Sequence, residues 1–277
     1  MILVLGGTTE SREAVAGLVD AGFQVLVLVA TEYGRKALNF ADKIEVIAKP
    51  CGLSDLLDLI ENRGIRAVVD CTHPFAAQVS HTAMLACDRT GISYIRLERE
   101  TLKAADYPGV IRTPDFEAAA RLVASLEGTV MLTIGVKHLP IFIDKRCEPN
   151  PRLVARVLPH PDSVARCLAC GLAPEDIVAL KGPFSVDFNR ALFIEYGVTA
   201  VVTKESGTIG GTDAKLEAAA QLGIKSVLIE RPRLNYSVVA DTLQDVICYL
   251  FNQGCSTKGT ALVDDKATAP LVRQSRH

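Results

Sequence analysis

The first residues that could bind a ligand are Gly6, Gly7, Thr8 and Thr9, which follow the apolar run Ile2–Leu5. A strand, a glycine turn and a helix in this order place unpaired backbone N–H groups and a positive dipole end at the turn. Glycines allow close approach of the backbone, and threonine hydroxyls add donors. The turn therefore favours a phosphate group, although a sharp strand-to-helix connection alone would use the same glycines. The third glycine of G-x-G-x-x-G is missing.

A second polar loop contains Thr72, His73 and Pro74 and follows the strand predicted over residues 65–71. Pro74 favours an extended backbone at His73, whose imidazole titrates near neutral pH and could donate a hydrogen bond or a proton. A histidine that only satisfies a loop carbonyl is the alternative. Since ligands of α/β folds collect at the carboxyl ends of the strands, both loops are candidates for one binding site.

The segment from Thr31 to Arg35 follows the second predicted strand. In a dinucleotide-binding fold this position lies beside the adenosine ribose. A carboxylate such as Glu32 would favour a free 2′-hydroxyl, whereas Thr31 and Arg35 could hold a 2′-phosphate. The sequence leaves this choice open.

Lysines stand where predicted strands end in the second half of the chain, at Lys137, Lys181 and Lys204, and Lys215 lies one turn into a helix. Each lysine taken alone is typical of a solvated rim. Together, at one edge of a sheet, they would form a basic surface suited to carboxylates.

The elements that must position these residues alternate between apolar strands and amphipathic helices. This alternation predicts an α/β fold with two Rossmann-like domains, whose mostly parallel sheets face an interdomain cleft. We assign residues 1–99 to a dinucleotide-binding domain, 100–252 to a second Rossmann-like domain and 253–277 to a polar, flexible tail. A last helix is predicted over residues 238–251.

Composition excludes several classes of protein. The net charge of −2 argues against a nucleic-acid partner, which needs a broad basic surface. No apolar run approaches the roughly 18 residues of a membrane-spanning helix. The first strand begins at the N-terminus without a charged leader, so we expect a cytoplasmic protein.

The eight cysteines are scattered through apolar elements, which indicates reduced core thiols rather than a disulfide framework. Cys167 and Cys170 form the single C-x-x-C pair. Because no second Cys or His pair stands at ligand spacing, no metal site is predicted.

Several short segments together resemble the precorrin-6A reductase family of cobalamin biosynthesis, over about residues 1–252. Their order and spacing carry the resemblance: residues 5–12 (LGGTTESR), 70–76 (DCTHPFA), 96–99 (RLER), 181–185 (KGPFS), 204–207 (KESG) and 211–215 (GTDAK). The departures are Ser11, where the family pattern has alanine, together with Glu205 and the segment 208–210.

The resemblance implies an enzyme that transfers a hydride from NADPH to one carbon of a polycarboxylate tetrapyrrole in the cleft. It assigns the coenzyme phosphates to Gly6, Gly7, Thr8, Thr9 and Arg12, and the ribose and nicotinamide to Thr31, Thr72, His73 and Pro74. It assigns the substrate carboxylates to Lys181, Lys204, Ser206 and Lys215. Solvent, His73 and Lys204 remain open as the proton donor, with His73 and Lys204 as the catalytic candidates.

The family has metal-free and cobalt-bound branches, and the sequence does not separate them. It also leaves open the oligomeric state and the preference for NADPH over NADH.

Two other classes of protein are alternatives. A short-chain-type NAD(P) dehydrogenase or epimerase would normally carry Tyr-x-x-x-Lys, yet none of the six tyrosines has a lysine four positions later. A non-enzymatic NAD(P)-sensing module would explain the first domain without the lysines of the second. It would bind NADPH and show no turnover.

Overall fold

The computed structural model describes residues 1–38, 44–98, 107–145, 151–207, 210–255 and 272–274, without the side chains of Thr9, Ala37 and residues 272–274. The strands are β1 Ile2–Leu5, β2 Val25–Val29, β3 Glu45–Ala48, β4 Ala67–Asp70, β5 Ser93–Leu97, β6 Val110–Thr113, β7 Thr129–Leu132, β8 Arg152–Val157, β9 Ile177–Ala179, β10 Val198–Lys204, β11 Lys225–Ile229, β12 Val238–Ala240 and β13 Val272–Gln274. The helices are α1 Thr9–Asp20, α2 Glu32–Leu38, α3 Leu53–Arg63, α4 Ala77–Thr90, α5 Phe116–Ala124, α6 Leu139–Asp144, α7 Pro161–Ala169, α8 Val186–Glu195, α9 Thr212–Leu222 and α10 Leu243–Asn252.

The chain forms two compact units, one of residues 1–99 with 233–277 and the other of residues 100–232. The first unit has the strand order β13-β12-β5-β4-β1-β2-β3, and the second has β6-β11-β10-β7-β8-β9. The observed pairings are parallel, except that β13 runs antiparallel to β12. The predicted α/β fold with two mainly parallel sheets is therefore confirmed.

The strand order reverses between β1 and β4 in the first unit, and between β7 and β10 in the second. In open α/β sheets this reversal leaves a crevice at the carboxyl ends of the strands, where ligands bind. The two crevices are thus bordered by the loops after β1 and β4 and by the loops after β7 and β10.

Both faces of the first sheet are covered, which explains why its strands are apolar at nearly every position. Ile2 and Val4 of β1 belong to the core that contains α1 and α10 side chains. Leu3 and Leu5 belong to the opposite core, with α3 and α4. In the second unit, Phe193 of α8 packs in a core with β7, β8 and β10.

The predicted boundary at residue 252 is wrong, as is the start of the helix predicted over 238–251. Residues 238–240 form β12, and Val239 and Ala240 pair with Arg96 and Leu97 of β5. Residues 233–252 consequently belong to the first unit, and α10 begins only at Leu243. Without β12, backbone N–H and C=O groups at the outer edge of β5 would be unpaired. The extended apolar residues 238–240 pair with this edge.

Two elements of the second unit do not appear among the sequence-based predictions. Residues 110–113, in a segment without clear periodicity, form β6 beside β11. Residues 139–144 form the short helix α6. Of the predicted polar tail, residues 256–271 and 275–277 lie outside the described residues.

The cysteines among the described residues are all free thiols. Burial raises the pKa of Cys87 to about 12, as expected for an inert core thiol. In the described ranges, no three His, Cys, Asp or Glu side chains are grouped so that they could hold a metal ion. None of the helices in those ranges has the length and apolar composition needed to cross a membrane.

Candidate functional site

The turn after β1 is closed by the buried Ser11 of α1. Its Oγ accepts the backbone N–H groups of Gly7 and Thr8 at 3.1 and 3.0 Å and donates to the Thr8 carbonyl oxygen at 2.6 Å. A Cβ added to Gly6 would lie 3.2 Å from Ser11 Oγ and 3.3 Å from Val27 Cγ1, whereas one added to Gly7, where φ is +111°, would meet nothing within 4 Å. Gly6 therefore permits tight helix-to-strand packing, and Gly7 leaves the outer side of the turn accessible.

Thr8 connects this turn to the loop after β4. It is the N-cap of α1, and its Oγ1 accepts from the Ser11 N–H at 3.1 Å and donates to the Cys71 carbonyl oxygen at 3.0 Å. Thr9 is the first residue of α1, and Arg12 is exposed on the same helix. The structure thus brings together the two loops that the sequence analysis assigns to the coenzyme.

The segment after β2 is exposed and forms a tight turn. Thr31 Oγ1 accepts from the Gly34 N–H at 3.1 Å, and Arg35 lies 3.6 Å from Glu32 in an ion pair. The two side chains with opposite predicted preferences for the ribose are therefore paired with each other.

Thr72 is buried and bound within the protein. Its backbone N–H and its Oγ1 donate to Asp70 Oδ1 at 2.9 and 2.7 Å. Arg96 donates to the Thr72 carbonyl oxygen at 2.8 Å and to its Oγ1 at 3.1 Å. The Thr72 hydroxyl therefore holds the loop in place, and its predicted contact with the coenzyme stays a prediction.

His73 and Pro74 continue this loop. His73 is half-buried, and its Nδ1 accepts from the Phe75 N–H at 3.1 Å. With Nδ1 as an acceptor, neutral His73 carries its hydrogen on Nε2, which is then the atom able to donate. Pro74 is buried.

A buried polar network under this loop went unnoticed in the sequence analysis. Asp70 Oδ2 accepts from Ser80 and Tyr94, each at 2.6 Å, while Oδ1 accepts from Arg96 at 2.8 Å. The Arg96 guanidinium lies 5.5 Å from the ring centroid of Tyr236. The available signal was a single charged residue in each of two predicted strands, at Asp70 in β4 and at Arg96 in β5.

In the second unit, Lys204 is the last residue of β10 and Lys137 follows the neighbouring β7. Burial, and then the charge of Lys137, lower the pKa of Lys204 to about 8. His138 stacks on Phe116 with ring centroids 3.7 Å apart, and burial followed by these two lysines lowers its pKa. Lys137 and Lys204 thus lie close enough for their charges to interact, and we call this part of the sheet the cationic edge.

Lys215 is also part of this edge and is only 7% exposed. Burial first, and then the charges of Arg156 and Lys204, lower its pKa to about 7, while Asp213 acts in the opposite direction. Its Nζ lies 3.4 Å from the Gly210 carbonyl oxygen. Lys181, by contrast, is exposed in the loop after β9.

Ser206 shapes the loop between β10 and α9. Its N–H donates to Thr212 Oγ1 at 3.2 Å, and the two hydroxyls lie 3.0 Å apart. Thr212 Oγ1 also donates to the Lys204 carbonyl oxygen at 2.9 Å. These bonds fix the backbone beside Lys204, and a contact between Ser206 and substrate stays a prediction.

Glu205, one of the departures from the family pattern, is buried beneath this loop. Its Oε1 lies 3.8 Å from Arg112 Nη1, and its carbonyl oxygen accepts from Arg231 Nε at 3.1 Å. Of the other departure, residues 208 and 209 lie outside the described residues.

This geometry defines a Rossmann-like α/β protein of two units, with a glycine turn at the crevice of one sheet and a cationic edge at the crevice of the other. The profile of the family "Precorrin-6x reductase CbiJ/CobK" matches residues 1–250. The chain belongs to this family and is an oxidoreductase of the precorrin-6A reductase type.

Individual relatives agree with this assignment. The cobalt-precorrin-6A reductase of Priestia megaterium is 39% identical over 254 residues, covering 91% of this chain and 99% of the relative. The precorrin-6A reductase of Rhodobacter capsulatus is 32% identical, covering 93% of this chain and 98% of the relative. The solved structure of CobK precorrin-6A reductase has a TM-score of 0.76 at 31% identity, covering 93% of this chain and 99% of that one.

These comparisons confirm the family resemblance found in the sequence. They give no support to a short-chain-type dehydrogenase or a non-enzymatic sensing module. The presence of relatives named for both the cobalt-bound and the metal-free substrate leaves the choice between the two branches open.

Proposed function

We propose that this reductase transfers a hydride from NADPH to the precorrin-6A macrocycle, metal-free or cobalt-bound, during synthesis of the corrin ring. The observation that carries the proposal is the family match over residues 1–250, which includes the glycine turn and the cationic edge. A substrate that carries several carboxylates also matches the cationic edge, because lysines bind carboxylates by charge and hydrogen bonding.

The residues of the first unit fit a dinucleotide. The N-terminus of α1, a helix of 12 residues, lies at the switch point, and Gly7 leaves its outer side open. In the proposal, Gly6, Gly7, Thr8, Thr9 and Arg12 hold the phosphates. When bound, NADPH supplies the hydride.

The remaining coenzyme contacts are proposed for Thr31 and for the loop of Thr72, His73 and Pro74. Thr72 acts through the backbone that it holds in place, since its hydroxyl is bound to Asp70 and Arg96. His73 presents Nε2 as a donor. In this proposal the nicotinamide is oriented by the loop of residues 72–74, which the buried ion pair of Asp70 and Arg96 holds in place.

The substrate carboxylates are proposed to bind Lys181, Lys204, Ser206 and Lys215. Lys204 is also the favoured proton donor, because a pKa of about 8 keeps its ammonium largely protonated at neutral pH yet able to release a proton. His73 is the second candidate for this role.

The direct test follows the oxidation of NADPH by purified protein with metal-free and with cobalt-bound precorrin-6A, each repeated with NADH. We expect turnover with NADPH and at least one form of the macrocycle. Coenzyme binding without turnover of either form would refute the reductase proposal and restore the sensing module.

A further inference from the structure

Arg156 is a half-buried cation in β8, a strand whose other cation, Arg152, is exposed and pairs with Asp176. No role has been assigned to Arg156. Its Nη1 donates to Asn189 Oδ1 at 2.8 Å, and its guanidinium carbon lies 5.2 Å from the ring centroid of Phe184. None of the ion pairs in the described part of the chain includes Arg156. A neutral amide and an aromatic face therefore hold the guanidinium without neutralising it.

The side-chain amide of Asn189 is itself held in one orientation. It is 1% exposed, and its Nδ2 donates to the carbonyl oxygens of Ser185 at 2.8 Å and Phe184 at 3.3 Å. These two bonds direct its Oδ1 to Arg156. The orientation of the guanidinium is thus set before any ligand binds, and its other N–H groups keep their donor capacity for a ligand.

Lys215 is the second cation at this place. Burial is the largest cause that lowers the pKa of Lys215 to about 7, and the positive charge of Arg156 is the next. Burial also lowers the pKa of Arg156 to about 10. The charged groups that act on Lys215 are Arg156 from β8, Lys204 from β10 and Asp213 from α9. This group therefore contains three cations, Arg156, Lys204 and Lys215, and one carboxylate, that of Asp213. The described ion pairs include neither Arg156 nor Lys215.

Two like charges withdrawn from water without a paired anion are unfavourable in the free protein. An anion placed against both would offset this cost, and a carboxylate matches the planar donor edge of a guanidinium. The structure gives Arg156 the rigid support that such a contact needs.

We propose that Arg156 and Lys215 form a binding subsite for one carboxylate group of the substrate, with Asn189 and Phe184 as its positioning residues. The proposal rests on the proposed function, because the tetrapyrrole is the source of the carboxylate. It assigns to Arg156 a specificity role that the exposed Lys181 does not share.

The test compares Arg156→Met and Arg156→Lys with the control Arg190→Met, which removes an exposed cation from the neighbouring position on α8. Affinity for the macrocycle is measured by titration, and KM and kcat by NADPH oxidation. Arg156→Met is expected to weaken macrocycle binding about 10- to 100-fold, with the affinity for NADPH unchanged. Arg156→Lys is expected to lie between wild type and Arg156→Met, since it keeps the charge and loses the planar donor edge.

A second readout separates direct binding from a loss of structure. A carboxylate beside Lys215 favours its charged form, so binding above pH 7 takes up a proton, measurable by calorimetry in buffers of different ionisation enthalpy. In Arg156→Met, removal of the neighbouring cation already raises the pKa of Lys215, and proton uptake on binding becomes smaller. The Arg190→Met control keeps the uptake of wild type.

Failure of the proposed function and failure of the carboxylate subsite give different results. Wild-type protein that does not turn over either macrocycle contradicts the proposed function. Wild-type protein that turns over, with Arg156→Met and Arg190→Met showing equal affinity and equal proton uptake, contradicts the carboxylate subsite alone.

Discussion

Asp70 and Arg96 are register partners in the neighbouring strands β4 and β5, and their side chains form an ion pair at 2.8 Å with exposures of 0% and 1%. Burial alone would raise the pKa of Asp70, but Arg96 and hydrogen bonds from Ser80, Tyr94 and Thr72 lower it below its ordinary value. Because Arg96 also binds the Thr72 carbonyl oxygen, this pair connects the interior of the sheet to the loop that carries His73.

Removal of either partner should be costly, since the other is left as an unpaired buried charge. We expect Arg96→Met and Asp70→Asn each to lower the free energy of unfolding by about 3 to 5 kcal/mol, measured by urea denaturation. The matched control is Glu45→Gln, which breaks the exposed pair with Arg63 and should cost less than about 1 kcal/mol. Equal losses in the buried and the exposed pair would contradict this interpretation.

Ser11 occupies two backbone donors that the proposal assigns to the coenzyme phosphates. Ser11→Ala should lower the free energy of unfolding by about 1 to 2 kcal/mol through loss of these hydrogen bonds. It should also tighten NADPH binding, because the N–H groups of Gly7 and Thr8 become available to the phosphate. Ser54→Ala, an exposed serine of α3, is the control. Weaker NADPH binding in Ser11→Ala would show instead that the hydroxyl itself contacts the coenzyme.

Lys204 is expected to act on the substrate rather than on the coenzyme. Lys204→Ala should raise the Kd for the macrocycle about tenfold or more and leave the Kd for NADPH almost unchanged, in separate titrations. Lys225→Ala, an exposed lysine at the opposite end of the parallel strands, should change neither constant. A larger effect on the Kd for NADPH than on the Kd for the macrocycle would show that Lys204 does not bind the substrate.

If Lys204 donates the proton, kcat/KM should fall as pH rises through about 8, because this parameter reports the titration of the free enzyme, in which the ammonium is lost there. Lys137 lowers that pKa by repulsion, so Lys137→Ala should shift the fall to higher pH. The measurement is the pH profile of kcat/KM for wild type and variant. A profile that Lys137→Ala leaves in place would assign the proton to another donor.

Lys215 should make stability depend on pH. Its pKa is about 7 in the folded protein against 10.5 for an ordinary lysine, so the cost of burying its charge is fully present below pH 7. As pH rises from 7 towards 10.5, the folded protein loses this proton before the unfolded chain does. The free energy of unfolding then gains about 1.4 kcal/mol per pH unit from this group.

Lys215→Met should lack this gain and be more stable than wild type at pH 6, where the charge is most costly. Urea denaturation of both proteins between pH 6 and 9 measures the difference. Parallel curves for wild type and variant would show that Lys215 keeps its charge throughout.

The alternation of strands and helices was predictable because apolar runs and helical periodicity are local properties of the sequence. The same patterns did not identify β12, since three apolar residues beside a helical segment favour either structure. Pairing with β5, more than 140 residues earlier in the chain, decides the matter.

The predicted loops after β1 and β4 are adjacent, as their positions at strand ends implied. Sequence position could not tell which polar groups in those loops are already bound. Ser11 occupies amides of the glycine turn, and Thr72 belongs to the network of Asp70 and Arg96.

By itself, the sequence determined the family, the α/β class and the strand-end loops, because motif order and hydrophobic periodicity are encoded along the chain. Only the tertiary structure decided which strands join which unit, which hydroxyls are committed to backbone partners, and that Arg156 and Lys215 influence each other. Hydrogen bonds and charge repulsion depend on distance in space, and the residues concerned come from separate strands and helices. The chemical role of a side chain is therefore settled by neighbours that its own segment does not contain.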